Sequence, residues 1–199
     1  NQHIPQTALD EAFKKIVRVD KPTLLDSNHA FHTLLSPGVP VEYRDYNGET
    51  KHDLVRVVDF DNPENNDFMA INQLTVLQGD FNRRPDIVLY VNGLPLVVIE
   101  LKNATDSKAS LLAAYRQLQT YKREIGDTFR FSELCVISDG IDAQMGTLTS
   151  PFERMMPWKT VNGEKEAGNV PQMDVLTRGV FDKARLLEII QNFIDFERD

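Results

Sequence analysis

A single cysteine, Cys135, leaves no internal disulfide to be made, and no His/Cys array has zinc-ligand spacing. Cys135 follows Leu134 and precedes Val136-Ile137, which reads as a small buried core residue rather than a catalytic thiol. Long apolar runs are missing too. The longest, Leu94 to Leu101, is interrupted by Pro95 and Glu100 and falls well short of the ~20 residues of a membrane span. The first residues lack the charged-then-apolar order of a secretory signal. These absences predict a cytoplasmic protein in a reducing compartment, with no membrane partner. Positive charge is scarce: 22 Lys and Arg stand against 30 Asp and Glu, a net charge of −8. A free-standing nucleic-acid binder usually carries a basic patch. Any contact with DNA would therefore have to be local, or other domains would have to deliver the DNA. No Gly-rich phosphate loop and no Ser/His/Asp signature occurs, so nucleotide hydrolysis and acyl transfer have no support within this chain.

What is present suits a globular protein. The 199 residues are 41% hydrophobic, enough for one large domain or a domain with an appendage. The first residue is Asn rather than Met, and the last follows a helical segment, so both ends are expected to be cuts within a longer polypeptide. Thr7-Ala8-Leu9-Asp10 resembles a capping box opening a helix to Val17. A second helix is predicted from Pro22 to Leu35, stopped by Ser36-Pro37-Gly38. Strands are predicted at Val41 to Tyr43 and Leu54 to Phe60, with Asn47-Gly48 as a turn between them, and at Phe68 to Leu77. Asp61 to Asn66 reads as a loop.

The densest strand signal is Asp86 to Val91, a turn at Asn92-Gly93, and Leu96 to Leu101. The second of these strands is apolar on both faces, so it is expected at the centre of a sheet covered on both sides. A helix from Lys108 to Ile125 and a strand from Leu134 to Ser138 complete a strand–helix–strand crossover. Residues 140–177 are irregular, and a last helix is expected from an Asp182 cap to Glu197. The core domain is expected over 1–150, with 151–199 a connector and terminal helix.

Glu100-Leu101-Lys102 is the most informative triplet. Strand alternation puts Glu100 and Lys102 on one face. A carboxylate closing a run of Val, Val and Ile needs compensation, because an unpaired buried charge is very costly. A structural ion pair with Lys102, or an exposed strand end, would satisfy it. Asp86 opens the neighbouring strand, so two carboxylates and a lysine can converge, and hard oxygen ligands of that kind suit Mg²⁺. Lys102 would then orient a water or stabilise growing charge on a phosphate. Register decides whether this is possible. A regular two-residue loop pairs Val91 with Leu94 and sets Asp86 opposite Ile99, on the wrong face. An odd-length loop or a bulge is therefore predicted.

Gln117 and Tyr121 share one face of the following helix at i, i+4 spacing. Spacing alone favours a core tyrosine and a solvated glutamine. Lys108, Arg116, Lys122 and Arg123 decorate this helix, and Arg83 and Arg84 lie beside Asp86 in sequence. They form either a local phosphate-binding rim or an ordinary solvated face. Of the histidines His3, His29, His32 and His52, the middle two are one turn apart and read as helix surface, unless that helix lines the site through Asp26 or His29.

The ordered string from Arg83 to Asn103, with its Pro85-Asp86 and Glu100-Leu101-Lys102, closely resembles the nuclease core of the restriction (R) subunit of type I restriction-modification enzymes. That core belongs to the PD-(D/E)xK nuclease superfamily. The resemblance extends to Gly38-Val39-Pro40-Val41-Glu42-Tyr43, to Asp59-Phe60-Asp61-Asn62-Pro63 with Asn72-Gln73, to Gln117-Leu-Gln-Thr-Tyr121, to Val136-Ile137-Ser138-Asp139-Gly140 and to Met156-Pro157-Trp158. It implies an α/β restriction-endonuclease-like core with a mixed central sheet flanked by helices. It implies that Asp86 and Glu100 bind Mg²⁺, that Lys102 is the catalytic lysine, and that Gln117 and Tyr121 fill the family's Q-x-x-x-Y motif. A further helix acid of the family falls near Asp26, where Glu is expected. It also implies an ATP-driven motor following this domain, methylation (M) and specificity (S) subunits as partners, double-stranded DNA as substrate, and a bacterial or archaeal cytoplasm. The alternatives are a stand-alone repair or recombination nuclease, and a docking module with a vestigial site.

Overall fold

The computed structural model describes residues 3–103, 110–164 and 170–196. In chain order its helices are α1 (Gln6–Val17), α2 (Leu24–Leu35), α3 (Leu111–Glu124), the single turn α4 (Gly126–Phe129), α5 (Gln172–Val180) and α6 (Lys183–Asn192). Its strands are β1 (Val39–Arg44), β2 (Thr50–Val55), β3 (Phe68–Asn72), β4 (Val76–Gln78), β5 (Phe81–Arg83), β6 (Ile87–Val91), β7 (Leu94–Leu101), β8 (Leu134–Ser138) and β9 (Ala143–Gly146). Five of these form one sheet in the order β3-β6-β7-β8-β9, and β1-β2 and β4-β5 form separate two-stranded ribbons.

The unbroken apolar run Leu96 to Ile99 puts β7 at the centre, as its burial on both faces requires. β7 and β8 pair in parallel, and α3 with α4 makes the crossover between them. The other pairings in this sheet are antiparallel, so the sheet is mixed. Val88, Val98, Cys135 and Ile137 face Ala114, Leu118 and Tyr121 of α3 on one side. On the other, Val97, Ile99 and Val136 join Ala12 and Ile16 of α1, Phe31 and Leu35 of α2, Leu176 and Val180 of α5, and Leu187 and Ile190 of α6. Each fully buried Val, Leu, Ile or Phe among them contributes roughly 1.5–3 kcal/mol of transfer free energy. The fold is therefore α/β, with a mixed sheet covered by helices on both faces. Among the described residues no helix is long and apolar enough to cross a membrane.

Several boundaries differ from those predicted. The capping box at Thr7 does not form: α1 starts at Gln6 after Pro5, and Asp10 accepts a hydrogen bond from Gln6 instead. β2 lies at Thr50–Val55 rather than 54–60, because the Asn47-Gly48 turn pairs Arg44 with Thr50 and leaves polar residues exposed on both faces of an isolated ribbon. The strand predicted from Phe68 to Leu77 breaks at Gln73, whose φ of 51° is left-handed, giving β3 and β4. β9 and α5 emerge from the stretch read as irregular. α5 buries Val175, Leu176 and Val180 although its short pattern is interrupted by Thr177-Arg178-Gly179. Asp182 does cap α6, accepting from the Arg185 N–H, but that helix stops at Asn192.

Candidate active site

The hairpin between β6 and β7 aims the first carboxylate. Asn92 and Gly93 have φ of 50° and 81°, the two left-handed residues of a tight two-residue turn. Val91 pairs with Leu94 and Tyr90 with Pro95, but Leu89 then pairs with Val97. Leu96 is the extra residue of a β-bulge. Beyond it Ile87 pairs with Ile99, so Asp86 comes beside Glu100 and on the same face. The bulge, not the loop length, meets the register condition that the sequence imposed. The Asp86 Oδ2 accepts the Leu101 backbone N–H at 2.8 Å, which fixes the carboxylate against the end of β7. The Gln73 N–H donates to the Asp86 carbonyl at 2.8 Å and holds its backbone from the other side.

Glu100 is 3% exposed. The Lys102 ammonium donates to its Oε1 at 2.7 Å, while its Oε2 is buried without a hydrogen-bond partner. Burial, partly offset by Lys102 and reinforced by the Asp86 carboxylate, pushes the Glu100 carboxyl from 4.5 up to about 7. The Lys102 N–H continues the parallel ladder by donating to the Ser138 carbonyl at 2.8 Å, so both ends of the triplet are held by β8.

Tyr121 is both core and site. Its ring packs among Leu118, Val98 and Ile137, and its hydroxyl donates to the Arg84 carbonyl at 3.3 Å, two residues before Asp86. Burial raises the Tyr121 hydroxyl, with Glu100 and Asp86 adding to the rise and a side-chain hydrogen bond with Gln117 opposing it. Asp86, Glu100, Lys102, Gln117 and Tyr121 thus converge on the α3 face at the β7 C-terminal end.

The basic residues divide. Arg84, Arg116 and Arg123 are exposed. Arg83 is ion-paired with Glu124, and the Lys122 ammonium is tied to the Leu148 carbonyl. Lys108 lies outside the described residues. α2 does not line this site. Asn28 donates to the Arg130 and Ser132 carbonyls, and Glu133 donates its N–H to Leu96, so α2 sits at the opposite end of β7 and β8 from Glu100. Asp26 is exposed there and accepts from the Thr23 hydroxyl. His32, expected on the surface, is half-buried, with Nδ1 2.9 Å from Oε2 of the buried Glu133. Sequence spacing carried no signal for that pair, whose members are 101 residues apart.

Among the described residues no group of three or more His, Cys, Asp or Glu side chains is arranged to hold a metal. Two carboxylates suffice for Mg²⁺, which keeps water and phosphate in its remaining positions. The orphaned Glu100 Oε2, buried beside Asp86, is the kind of oxygen a hard cation would satisfy.

The chain matches the family described as Type I restriction enzyme R protein N terminus over residues 1–154. It is 41% identical over its whole length to the type I restriction enzyme HindI endonuclease subunit of Haemophilus influenzae, covering 19% of that protein. A protein of Methanocaldococcus jannaschii named for the MjaIXP type I restriction enzyme, as its endonuclease subunit, is 28% identical over 92% of the chain, again with 19% of the relative covered. The EcoprrI endonuclease subunit of Escherichia coli is 29% identical over 60% of the chain and 39% of the relative. The chain therefore spans a minor part of each of these proteins, and within them it belongs to the type I restriction enzyme R protein N-terminal family.

Proposed function

We propose that this chain is the Mg²⁺-dependent endonuclease domain of a type I restriction R subunit, built on a PD-(D/E)xK core and hydrolysing phosphodiester bonds of double-stranded DNA. The observation that carries the reading is the convergence of Asp86 and the buried, half-satisfied Glu100 on one face, with Lys102 at 2.7 Å. Bound there, Mg²⁺ would polarise the phosphate and offset charge on the leaving oxygen. Asp86 and Glu100 would hold the ion. With its pKa near 7, Glu100 must shed a proton to do so, so metal affinity should rise with pH through that value. Lys102, released from Glu100, would orient the attacking water or stabilise the phosphate. Gln117 and the Tyr121 hydroxyl would position water and backbone oxygens from α3. Arg84, Arg116 and Arg123 supply a local phosphate-binding rim, joined by Lys108 and, where DNA displaces their present partners, by Arg83 and Lys122. Because the surface is net acidic, the reading assigns DNA delivery to the M and S subunits and to an ATP-driven motor elsewhere in the R subunit, in a cytoplasmic setting.

In the assembled enzyme, Asp86→Ala and Lys102→Ala should each reduce DNA cleavage about a thousandfold or more while leaving ATP hydrolysis intact. Cutting at the wild-type rate by either variant would overturn the reading.

A further inference from the structure

Register sets a row of side chains across the sheet. Asp86 beside Glu100 begins it on β6 and β7, Glu100 pairs with Ile137 of β8, and Ile137 pairs with Gln144 of β9. Paired residues share a face of the sheet, and Ile137 packs with α3. Gln144 therefore lies on the α3 face, with the two acids. Its strand neighbours Ala143 and Met145 alternate away from it, into the core on the other side. The backbone on either side of Gln144 is tied down. The Ala143 N–H donates to Gln172 Oε1 at 3.0 Å, and Met145 exchanges both backbone hydrogen bonds with Met156 at 2.9 Å.

The Gln144 Oε1 is buried and accepts no hydrogen bond. A buried amide oxygen without a donor is costly and uncommon. Among the described residues five side chains carry a buried polar atom of this kind: Glu100, Arg130, Glu133, Gln144 and Trp158. Arg130 and Glu133 lie at the far end of β7 and β8, and Trp158 packs on the opposite face of the sheet. Glu100 and Gln144 share one row, and the atom that each leaves open is an acceptor. We infer that Gln144 is a positioning residue of the candidate site, its amide oxygen accepting from a hydration water of the divalent cation that Asp86 and Glu100 hold. Two strand spacings, about 10 Å, separate β7 from β9, a gap that a glutamate and a glutamine side chain can span with a hydrated cation between them. Mg²⁺ suits such an arrangement because it gives up its waters reluctantly, and those waters need acceptors. An amide supplies one without adding a third negative charge beside Asp86 and Glu100. The inference rests on the metal-binding reading above.

Titration of Mn²⁺ into the nucleotide-free R subunit at pH 8 tests this, with Asp86→Ala marking the heat that belongs to this site. Gln144→Leu should weaken that binding about tenfold and shrink the rise in melting temperature that Mn²⁺ gives. In a chelator its melting temperature should stay at or above the wild-type value, because the apolar side chain removes the unmet acceptor. Gln144→Glu restores an acceptor and should recover wild-type affinity or better, at a lower melting temperature in the chelator. A glutamine that only fills the sheet would do the reverse, with Gln144→Leu losing stability in the chelator and keeping its affinity. Wild-type affinity in Gln144→Leu, a fall in its melting temperature in the chelator, or failure of Gln144→Glu to recover binding overturns the inference. Asp86→Ala separates the two ideas. If it leaves Mn²⁺ binding unchanged, the metal reading itself fails; if it abolishes binding and Gln144→Leu does not weaken it, Gln144 alone is misassigned.

Discussion

Two buried glutamates stand at opposite ends of adjacent parallel strands, and they have different surroundings. Glu100 ends the apolar run of β7 with a lysine on one oxygen and the other oxygen orphaned. Glu133 precedes β8 with His32 on one oxygen and, again, the other orphaned. Burial raises both carboxyls, and in each case the partner side chain, Lys102 or His32, opposes the rise. The contrast is Asp86. A second acid shares the face of Glu100, and a tyrosine and a glutamine reach it from α3, whereas Glu133 is closed in by α2. A buried carboxylate with one basic partner is the signature of a structural pair. A second carboxylate beside it raises the cost of ionisation further, which on the function proposed above a bound dication would offset.

The largest effect should separate the two ends outright. Mn²⁺ binding measured by calorimetry at pH 8 should weaken about a hundredfold or more in Asp86→Ala and remain unchanged in Glu133→Ala. Equal loss in both would erase the distinction. Stability should show the reverse pattern. Glu133→Ala leaves His32 without its carboxylate partner and opens a cavity, and should cost about 3 kcal/mol in urea unfolding without metal. A cost under about half of that would make the far pair an ornament.

Sharper still is the pH profile of Glu100. Its folded-state value of about 7 exceeds the ordinary 4.5, so the folded chain binds the proton more tightly than the unfolded one. The stability this provides is complete below about pH 4.5 and drains away as pH rises towards 7. Glu100→Gln should therefore flatten that decline and raise metal-free stability at pH 8 by up to about 2 kcal/mol, net of the lost Lys102 pair. An unchanged decline in the variant would mean that Glu100 is ionised at no cost. The smallest effect belongs to Asp26: because α2 packs at the Glu133 end, Asp26→Ala should change cleavage by less than about twofold.

The comparison also marks how far the sequence reaches. Glu100 stood out because a charge closing the apolar strand Leu96–Ile99 violates a local rule, Asp86 and Lys102 followed from their places beside it, and the need for an odd-length loop or a bulge followed from counting residues. Helices α2, α3 and α6 were legible from periodicity, and the crossover from their order. Tyr121 shows the limit of spacing. A tyrosine at a core position and one beside a carboxylate look alike until Arg84 is folded against it. His32 and Glu133 were illegible for a different reason, since nothing local marks partners that only the packing of α2 on β8 brings together. β2 was misplaced because its Thr-Lys-His-Asp sequence faces solvent on both sides and carries no alternation to read.

The bulge at Leu96 has one more consequence. A two-residue turn is the tightest way to reverse a strand, and Asn92 also ties that turn to Val57, Asn66 and Asp67 through its side chain and backbone. Taken alone, that turn gives the hairpin the wrong parity. The extra leucine corrects the parity three residues later, inside the core, where no surface change reaches it. Tightness of the turn and aim of the acid are thereby assigned to separate residues. At a fixed turn length, it is the bulge rather than the side chains of the tip that keeps Asp86 beside Glu100.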